Sequence, residues 1–134
     1  MKYLLDTNIC IRYINGRAPH IREHMRLIAD TDIAVSTITL GEMFTGSYKS
    51  RHPQQSRARQ DAFFIRFTIL PFDQTSADVF GNLRSHLELT GTPIGPYDMQ
   101  IAAVALAHGL ILVTHNLKEF NRVPGLAIED WEDG

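Results

Sequence analysis

Leu4-Leu5-Asp6-Thr7-Asn8, the stretch LLDTN at residues 4–8, runs two leucines directly into a carboxylate, a hydroxyl and an amide. An isolated carboxylate against an apolar core is costly unless something pairs with it. The same stretch sets the fold. Tyr3–Leu5 is a strand-length apolar run that stops on a charge, and a helical pattern opens after it at residues 9–14. Four further runs share this form, at Ile33–Ser36 and at residues 68–72, 110–114 and 126–128; each is rich in Leu, Ile, Val or Phe. Between them lie helical patterns. Residues 21–29 carry Ile21, Met25 and Ile28 at helical spacing, and residues 37–47 follow the second run. Pro53 suits the first turn of a helix reaching about Arg66, with Ala62, Phe63 and Phe67 on one side. Residues 73–89 show a stripe of Ala77, Phe80, Leu83 and Leu87 that Gly91 and Pro93 stop, and residues 98–108 end at Gly109. Such alternation predicts an α/β fold with a mainly parallel sheet, in one domain over residues 1–134 without internal repeats. Sheets of this kind bind ligands at the carboxyl ends of their strands.

With 134 residues, 44% of them apolar and 21% charged, the chain has an ordinary globular composition and length enough for a core. Cys10 is its one cysteine, which excludes an internal disulfide and a cysteine-rich zinc site; on an apolar helix face with Ile11 and Ile14 nearby, it reads as plain core. The N-terminus shows no charged-then-apolar leader, and no apolar run nears the roughly 20 residues needed to span a bilayer. The expectation is a soluble cytoplasmic protein with no membrane association. A net charge of −2 argues against a non-specific nucleic-acid coat. The charge is unevenly spread, however. Lys49, Arg51, Arg57, Arg59 and Arg66 face Asp61 alone, while Glu119, Glu129, Asp130, Glu132 and Asp133 face only Arg122. These runs are either a solvated helix face and tail, or a polyanion-facing patch with an acidic end kept away from it.

Asp6 closes the first strand, and three capping residues in a row exceed what one helix start needs. Glu42 lies in Thr39-Leu40-Gly41-Glu42, which matches a capping box, yet periodicity from Ser36 or Thr37 places it deeper in the helix. Asp98 follows Ile94-Gly95-Pro96-Tyr97 and by itself reads as an N-cap. The three acids nevertheless all fall where strand ends and helix starts converge. Two carboxylates about 4 Å apart repel by roughly 4 kcal/mol at an effective dielectric near 20. Three in one pocket call for a hard divalent cation, Mg²⁺ or Mn²⁺, and this ligand set of oxygens suits either. Mg²⁺ commonly bridges to phosphate, so the natural substrate is a phosphodiester. Asn8 argues against an Asp-x-Asp phosphatase, because it stands where that chemistry needs a second aspartate. His115 and Asn116 stand where a phosphorylation receiver would carry a lysine.

Taken together, LLDTNICI at residues 4–11, TLGEMFTG at 39–46, IGPYDMQIAA at 94–103, LILVTHNLKEFNRVPGL at 110–126 and the closing Glu129-Asp130-Trp131 resemble the PIN-domain ribonucleases, especially VapC toxins of type II toxin–antitoxin pairs. The resemblance spans essentially the whole chain. It implies a three-layer PIN-like fold with five strands in the order 3-2-1-4-5. It also implies a metal-dependent endoribonuclease acting on structured RNA such as tRNA or rRNA, a homodimer, and inhibition by a VapB-like antitoxin in a hetero-oligomer. Asp6, Glu42 and Asp98 map onto the family's metal-binding acids. A fourth aspartate common after the fourth strand is replaced here by Thr114-His115-Asn116; Glu119 can restore that charge. The departure favours one firmly held ion, with a second completed by substrate.

The expected chemistry is hydrolysis of RNA by metal-activated water. Asp6 and Asp98 hold the ion, directly or through water, and Glu42 is either a ligand or the group that orients the water. Thr7, Asn8, Thr114 and Asn116 support the ligands and the scissile phosphate. His115 reads as a surface or hydrogen-bonding residue. Tyr97 either stacks on a splayed base or packs in the core, and Arg51, Arg57 and Arg59 are candidates for RNA or antitoxin contact. The alternatives are a housekeeping RNA-processing nuclease and a PIN-like module that binds without cutting.

Overall fold

Leu4, Leu5, Ala34, Val35, Leu112 and Val113 are all fully buried, so both faces of the central strands are covered. That is the condition under which parallel sheets form. The computed structural model describes residues 1–132; Asp133, counted in the acidic end, lies outside the described residues. In chain order the elements are β1 (Tyr3–Leu5), α1 (Thr7–Ile14), α2 (Pro19–Leu27), β2 (Ile33–Ser36), α3 (Thr37–Lys49), α4 (Pro53–Phe64), β3 (Thr68–Leu70), α5 (Gln74–Leu89), α6 (Pro96–His108), β4 (Ile111–Val113), α7 (Leu117–Phe120) and β5 (Ile128–Glu129). Among the described residues the five strands form one sheet, ordered β3-β2-β1-β4-β5, and every pairing is parallel. This is the order the resemblance implies.

Side chains alternate across a strand, and the two faces collect separate cores. Tyr3, Leu5, Ile33, Val35 and Val113 pack with Ile9, Ile21, Met25, Met43, Phe63 and Phe64 from α1 to α4. Leu4, Ala34 and Leu112 pack with Leu83 and Leu87 of α5 and with Met99, Ile101, Ala102 and Ala105 of α6. The result is three layers. Cys10 is buried in the first core, as its apolar surroundings suggest.

Several boundaries differ from the sequence pattern for identifiable reasons. The first helix begins at Thr7 rather than Ile9, because the Asp6 carboxylate caps it by accepting from the Ile9 N–H at 2.9 Å. The last long helix begins at Pro96, so Asp98 is not its N-cap; Gly95 holds that position and Asp98 sits in the first turn. The second helix ends at Leu27, where Ile28 turns extended. β3 stops ahead of Pro71, which has no N–H to donate. β4 starts one residue late because the Leu110 N–H closes the end of α6 on the Ala105 carbonyl, around Gly109 in the left-handed region. β5 is displaced to Ile128–Glu129 by the turn at Gly125. Two stripe assignments also shift. Ala62 and Ala77 face outward, while Phe64 and Ser76 take the inner positions.

The last described residues are fastened across the first core. Trp131 is buried, stacks on His24 with ring centroids 5.2 Å apart, meets Tyr3 edge-on at 5.1 Å and donates its indole N–H to Glu129 at 3.0 Å. Trp131→Ala is expected to cost about 3–5 kcal/mol of stability. Urea unfolding followed by circular dichroism measures it, and a loss below about 1 kcal/mol contradicts this anchoring role.

Candidate active site

The carboxyl edge of the sheet gathers the polar residues singled out in the sequence. Asp6 follows β1 directly and is 4% exposed. One carboxylate oxygen accepts from Ile9, and the Thr114 hydroxyl, just past β4, bonds the same side chain. Thr114 is fully buried and also accepts from the Asn116 N–H at 3.0 Å. Burial pushes the Asp6 carboxyl up to about 6 against the opposing pull of these hydrogen bonds, and Glu132 and Glu42 add to the rise.

Glu42 is held from another direction. Ser36 caps α3 by accepting from the Thr39 N–H, which removes the capping-box role from Glu42 and leaves it on the second turn. Its Oε1 instead accepts from the Thr7 hydroxyl at 2.7 Å. Thr7 lies 3.0 Å from the Thr39 hydroxyl, which in turn lies 3.5 Å from the Ser36 hydroxyl. A hydroxyl carries one proton, so the chain runs Ser36 to Thr39 to Thr7 to Glu42, each group donating to the next. Thr39 is therefore a positioning residue that sequence reading treated only as a cap candidate.

Asp98 completes the cluster from the first turn of α6. Desolvation, first, and then contact with the Glu119 carboxyl raise it to about 7, with Asp6 and Glu42 contributing repulsion. Glu119 is itself fixed by the Asn116 amide at 2.9 Å. The four acids Asp6, Glu42, Asp98 and Glu119 thus share one electrostatic neighbourhood, and Asn116 serves as a holder of Glu119. Two hollows flank them. One, of about 500 Å³, is lined by Ile38, Gly41, Glu42, Thr45, Tyr97 and Gln100; Tyr97 is exposed there and is not a core residue. The other, of about 600 Å³, is lined by Asn8, Ile11, Arg12, His115, Asn116 and Glu132.

The acidic end does not stand apart from this region. Glu132 pairs with Arg12, and His115 bonds Asp130 at 2.9 Å with Glu132 at 3.4 Å. Arg12, Asp130 and Glu132 were not among the candidates; the pairing of Arg12 with Glu132 joins opposite ends of the chain and leaves no local pattern. The basic run is largely engaged in structural contacts. Arg57 pairs with Asp61 and covers the Phe44 ring, Arg59 donates to the Ile14 carbonyl at 2.8 Å, and Arg66 pairs with Asp30. Arg51 is exposed between α3 and α4. None of these arginines lines the two hollows.

Among the described residues, no three His, Cys, Asp or Glu side chains form a ready-made cage for a metal ion. The donor chemistry still fits a hard divalent cation. Mg²⁺ is typically held by one or two carboxylates with waters and substrate phosphate supplying the rest, and Asp6 with Asp98 offers such a pair. Burial first, and then the neighbouring acids, raise the proton affinity of both.

A five-stranded parallel sheet in this order, with acids gathered at its carboxyl edge, defines a class, and the PIN domain model matches residues 3–126. The chain is 43% identical over 131 residues to the tRNA(fMet)-specific endonuclease VapC of Salmonella typhimurium, covering 98% of each. The DNA-bound VapBC structure from Salmonella typhimurium matches with a TM-score of 0.93 at 43% identity, over 98% of both chains. VapBC2 from Rickettsia felis, bound to a DNA fragment from its promoter, matches with a TM-score of 0.91 at 39% identity, over 98% of this chain and 99% of that one. The chain belongs to the VapC ribonucleases of the PIN-domain family.

A pH dependence follows from the two raised carboxyls. The folded chain retains protons on Asp6 and Asp98 at pH values where the unfolded chain has lost them. Stability therefore falls as pH rises through about 6 to 7. In EDTA the melting temperature is expected to be higher near pH 5 than at pH 8, and 10 mM Mg²⁺ should recover the difference at pH 8 (concentration about saturating for a weak oxygen site). A melting temperature that rises from pH 5 to pH 8 in EDTA contradicts the crowding of these acids.

Proposed function

We propose that this chain is the toxin of a type II toxin–antitoxin pair, an endoribonuclease that requires Mg²⁺, or Mn²⁺ in its place, and cuts structured RNA of the tRNA class in the bacterial cytoplasm. The observation that carries the reading is the meeting of Asp6, Glu42, Asp98 and Glu119 at one sheet edge, where their charges act on each other. Kinship with a tRNA(fMet)-specific endonuclease supports the substrate class. Kinship with chains solved as VapBC complexes supports a VapB-like antitoxin as partner. We further propose a homodimer. No helix among the described residues is long and apolar enough to cross a membrane.

Asp6 and Asp98 would hold the cation, with Glu119 and Glu42 completing the negative wall. When bound, the cation supplies Lewis-acid stabilisation of charge on the phosphoryl oxygens and eases deprotonation of the attacking water. Thr7 fixes Oε1 of Glu42, leaving Oε2 to orient the water and take its proton. Thr114 holds Asp6 in register, and Asn116 keeps Glu119 against Asp98. As the water oxygen bonds to phosphorus, the bond to the leaving ribose oxygen breaks; that oxygen takes a proton from solvent water, and Glu42 returns its proton to solvent. Asn8 and Asn116, which line the second hollow, would donate to phosphate oxygens.

Asp98→Asn tests this most simply. The substitution preserves shape, removes a ligand charge and relieves repulsion from Glu119. Cleavage of tRNA(fMet) transcript should drop at least about a hundredfold while the melting temperature in EDTA holds or rises. Full cleavage by both Asp98→Asn and Asp6→Asn overturns the assignment. Expression of the wild-type chain alone should arrest growth, and co-expression of the adjacent antitoxin frame should relieve it. An active nuclease that causes no arrest would instead support a housekeeping role.

A further inference from the structure

The four acids leave a difficulty for an RNA ligand, since its phosphates are repelled from the same edge that is proposed to cut it. A single cation between the acids neutralises only part of that charge, and strand binding draws on basic side chains along the phosphate path. Among the side chains lining the two hollows, Arg12 is the one guanidinium. It projects from the last turn of α1, one turn beyond Asn8, and shares the second hollow with Asn8 and Asn116. Its guanidinium meets the Glu132 carboxylate and donates through Nη2 to the Arg17 carbonyl at 3.2 Å.

We propose that Arg12 binds a phosphate of the RNA beside the cleaved bond, and that Glu132 occupies its guanidinium in the RNA-free protein. This rests on the nuclease reading above and adds to it a substrate contact with a built-in competitor. Chemistry supports the exchange. A guanidinium presents parallel N–H groups that suit carboxylate and phosphate alike, so a phosphate can take the place that Glu132 holds. Arg12 is 49% exposed on its side chain, so its guanidinium is within reach of an incoming phosphate from solvent and can trade partners. Glu132 is only 13% exposed, held in place by the neighbouring Trp131 anchor and facing His115 as well as Arg12. A phosphate on Arg12 would therefore have to displace the Glu132 carboxylate from the guanidinium. The Glu132 charge also acts on Asp6, which places the pair within the electrostatic reach of the acids.

The test separates binding from cutting. In the cleavage-impaired Asp98→Asn chain, affinity for tRNA(fMet) transcript is measured against salt concentration, with and without Arg12→Ala or Glu132→Gln. Arg12→Ala should weaken binding about tenfold and reduce the slope of log affinity on log salt by about one. Arg12→Lys should restore part of the affinity, and Glu132→Gln should tighten binding several-fold by freeing the guanidinium. In the otherwise wild-type chain, Arg12→Ala should raise KM with kcat within about twofold. An unchanged salt slope in Arg12→Ala overturns the proposal, as does weaker binding in Glu132→Gln with an unchanged melting temperature. Wild-type cleavage of the transcript is scored separately. Its absence counts against the nuclease reading, whereas the salt slope decides the role of Arg12 in either case.

Discussion

The repulsion among carboxylates packed at the carboxyl edge of a parallel sheet is the constraint around which this structure is arranged. Asp6 is nearly inaccessible to water, yet it ends a strand whose other residues are pure core. The fold tolerates it by giving the side chain hydrogen bonds from the Ile9 N–H and the Thr114 hydroxyl, and by letting its proton affinity rise. Asp98 rises further, through desolvation first and then through its contact with Glu119. Neither arrangement serves stability. Acids held together at such a cost mark a functional site rather than a structural one, and the proposed cation is what would offset the cost.

The surrounding polar groups are best understood as devices for aiming these acids. Ser36 caps α3 and so releases Glu42 from any capping duty, while the line of hydroxyls from Ser36 through Thr39 and Thr7 ends on Glu42. Asn116 performs the same task for Glu119. Where the resemblance leads one to expect a fourth aspartate after β4, a glutamate one turn farther on contacts Asp98 with the asparagine as its brace. Trp131, far along the chain, anchors the segment that brings Glu132 to Arg12.

What could be read from the chain followed from how local each feature is. The mainly parallel α/β alternation and the convergence of Asp6, Glu42 and Asp98 were legible because short apolar runs stop on polar residues at regular intervals, whereas strand order and layering came from the resemblance of the motifs to PIN-domain ribonucleases. Helix starts were less so. Asp6 caps α1 and also faces the other acids, so treating capping and function as rivals displaced the helix start by two residues. Asp98 took the appearance of a cap because the rigid Gly95-Pro96 step, which sets the true start of α6, lies just ahead of it. The basic run suggested a phosphate-binding face, but Arg57, Arg59 and Arg66 find partners that lie on other turns or other elements. The pairing of Arg12 with Glu132 escaped notice for the same reason in reverse, since nothing in either neighbourhood announces a contact across the length of the chain.

The central claim is that the crowded acids are the seat of a divalent cation, and proton release on binding tests it most directly. Mg²⁺ is titrated into the full chain by calorimetry in buffers of differing ionisation heat. Because Asp6 and Asp98 carry raised pKa values of about 6 and about 7, the ion must displace protons from them. The account predicts a release that is substantial near pH 6.5 and fades above about pH 8.5. Binding without proton release at pH 6.5, or no binding at any pH in that range, would contradict it.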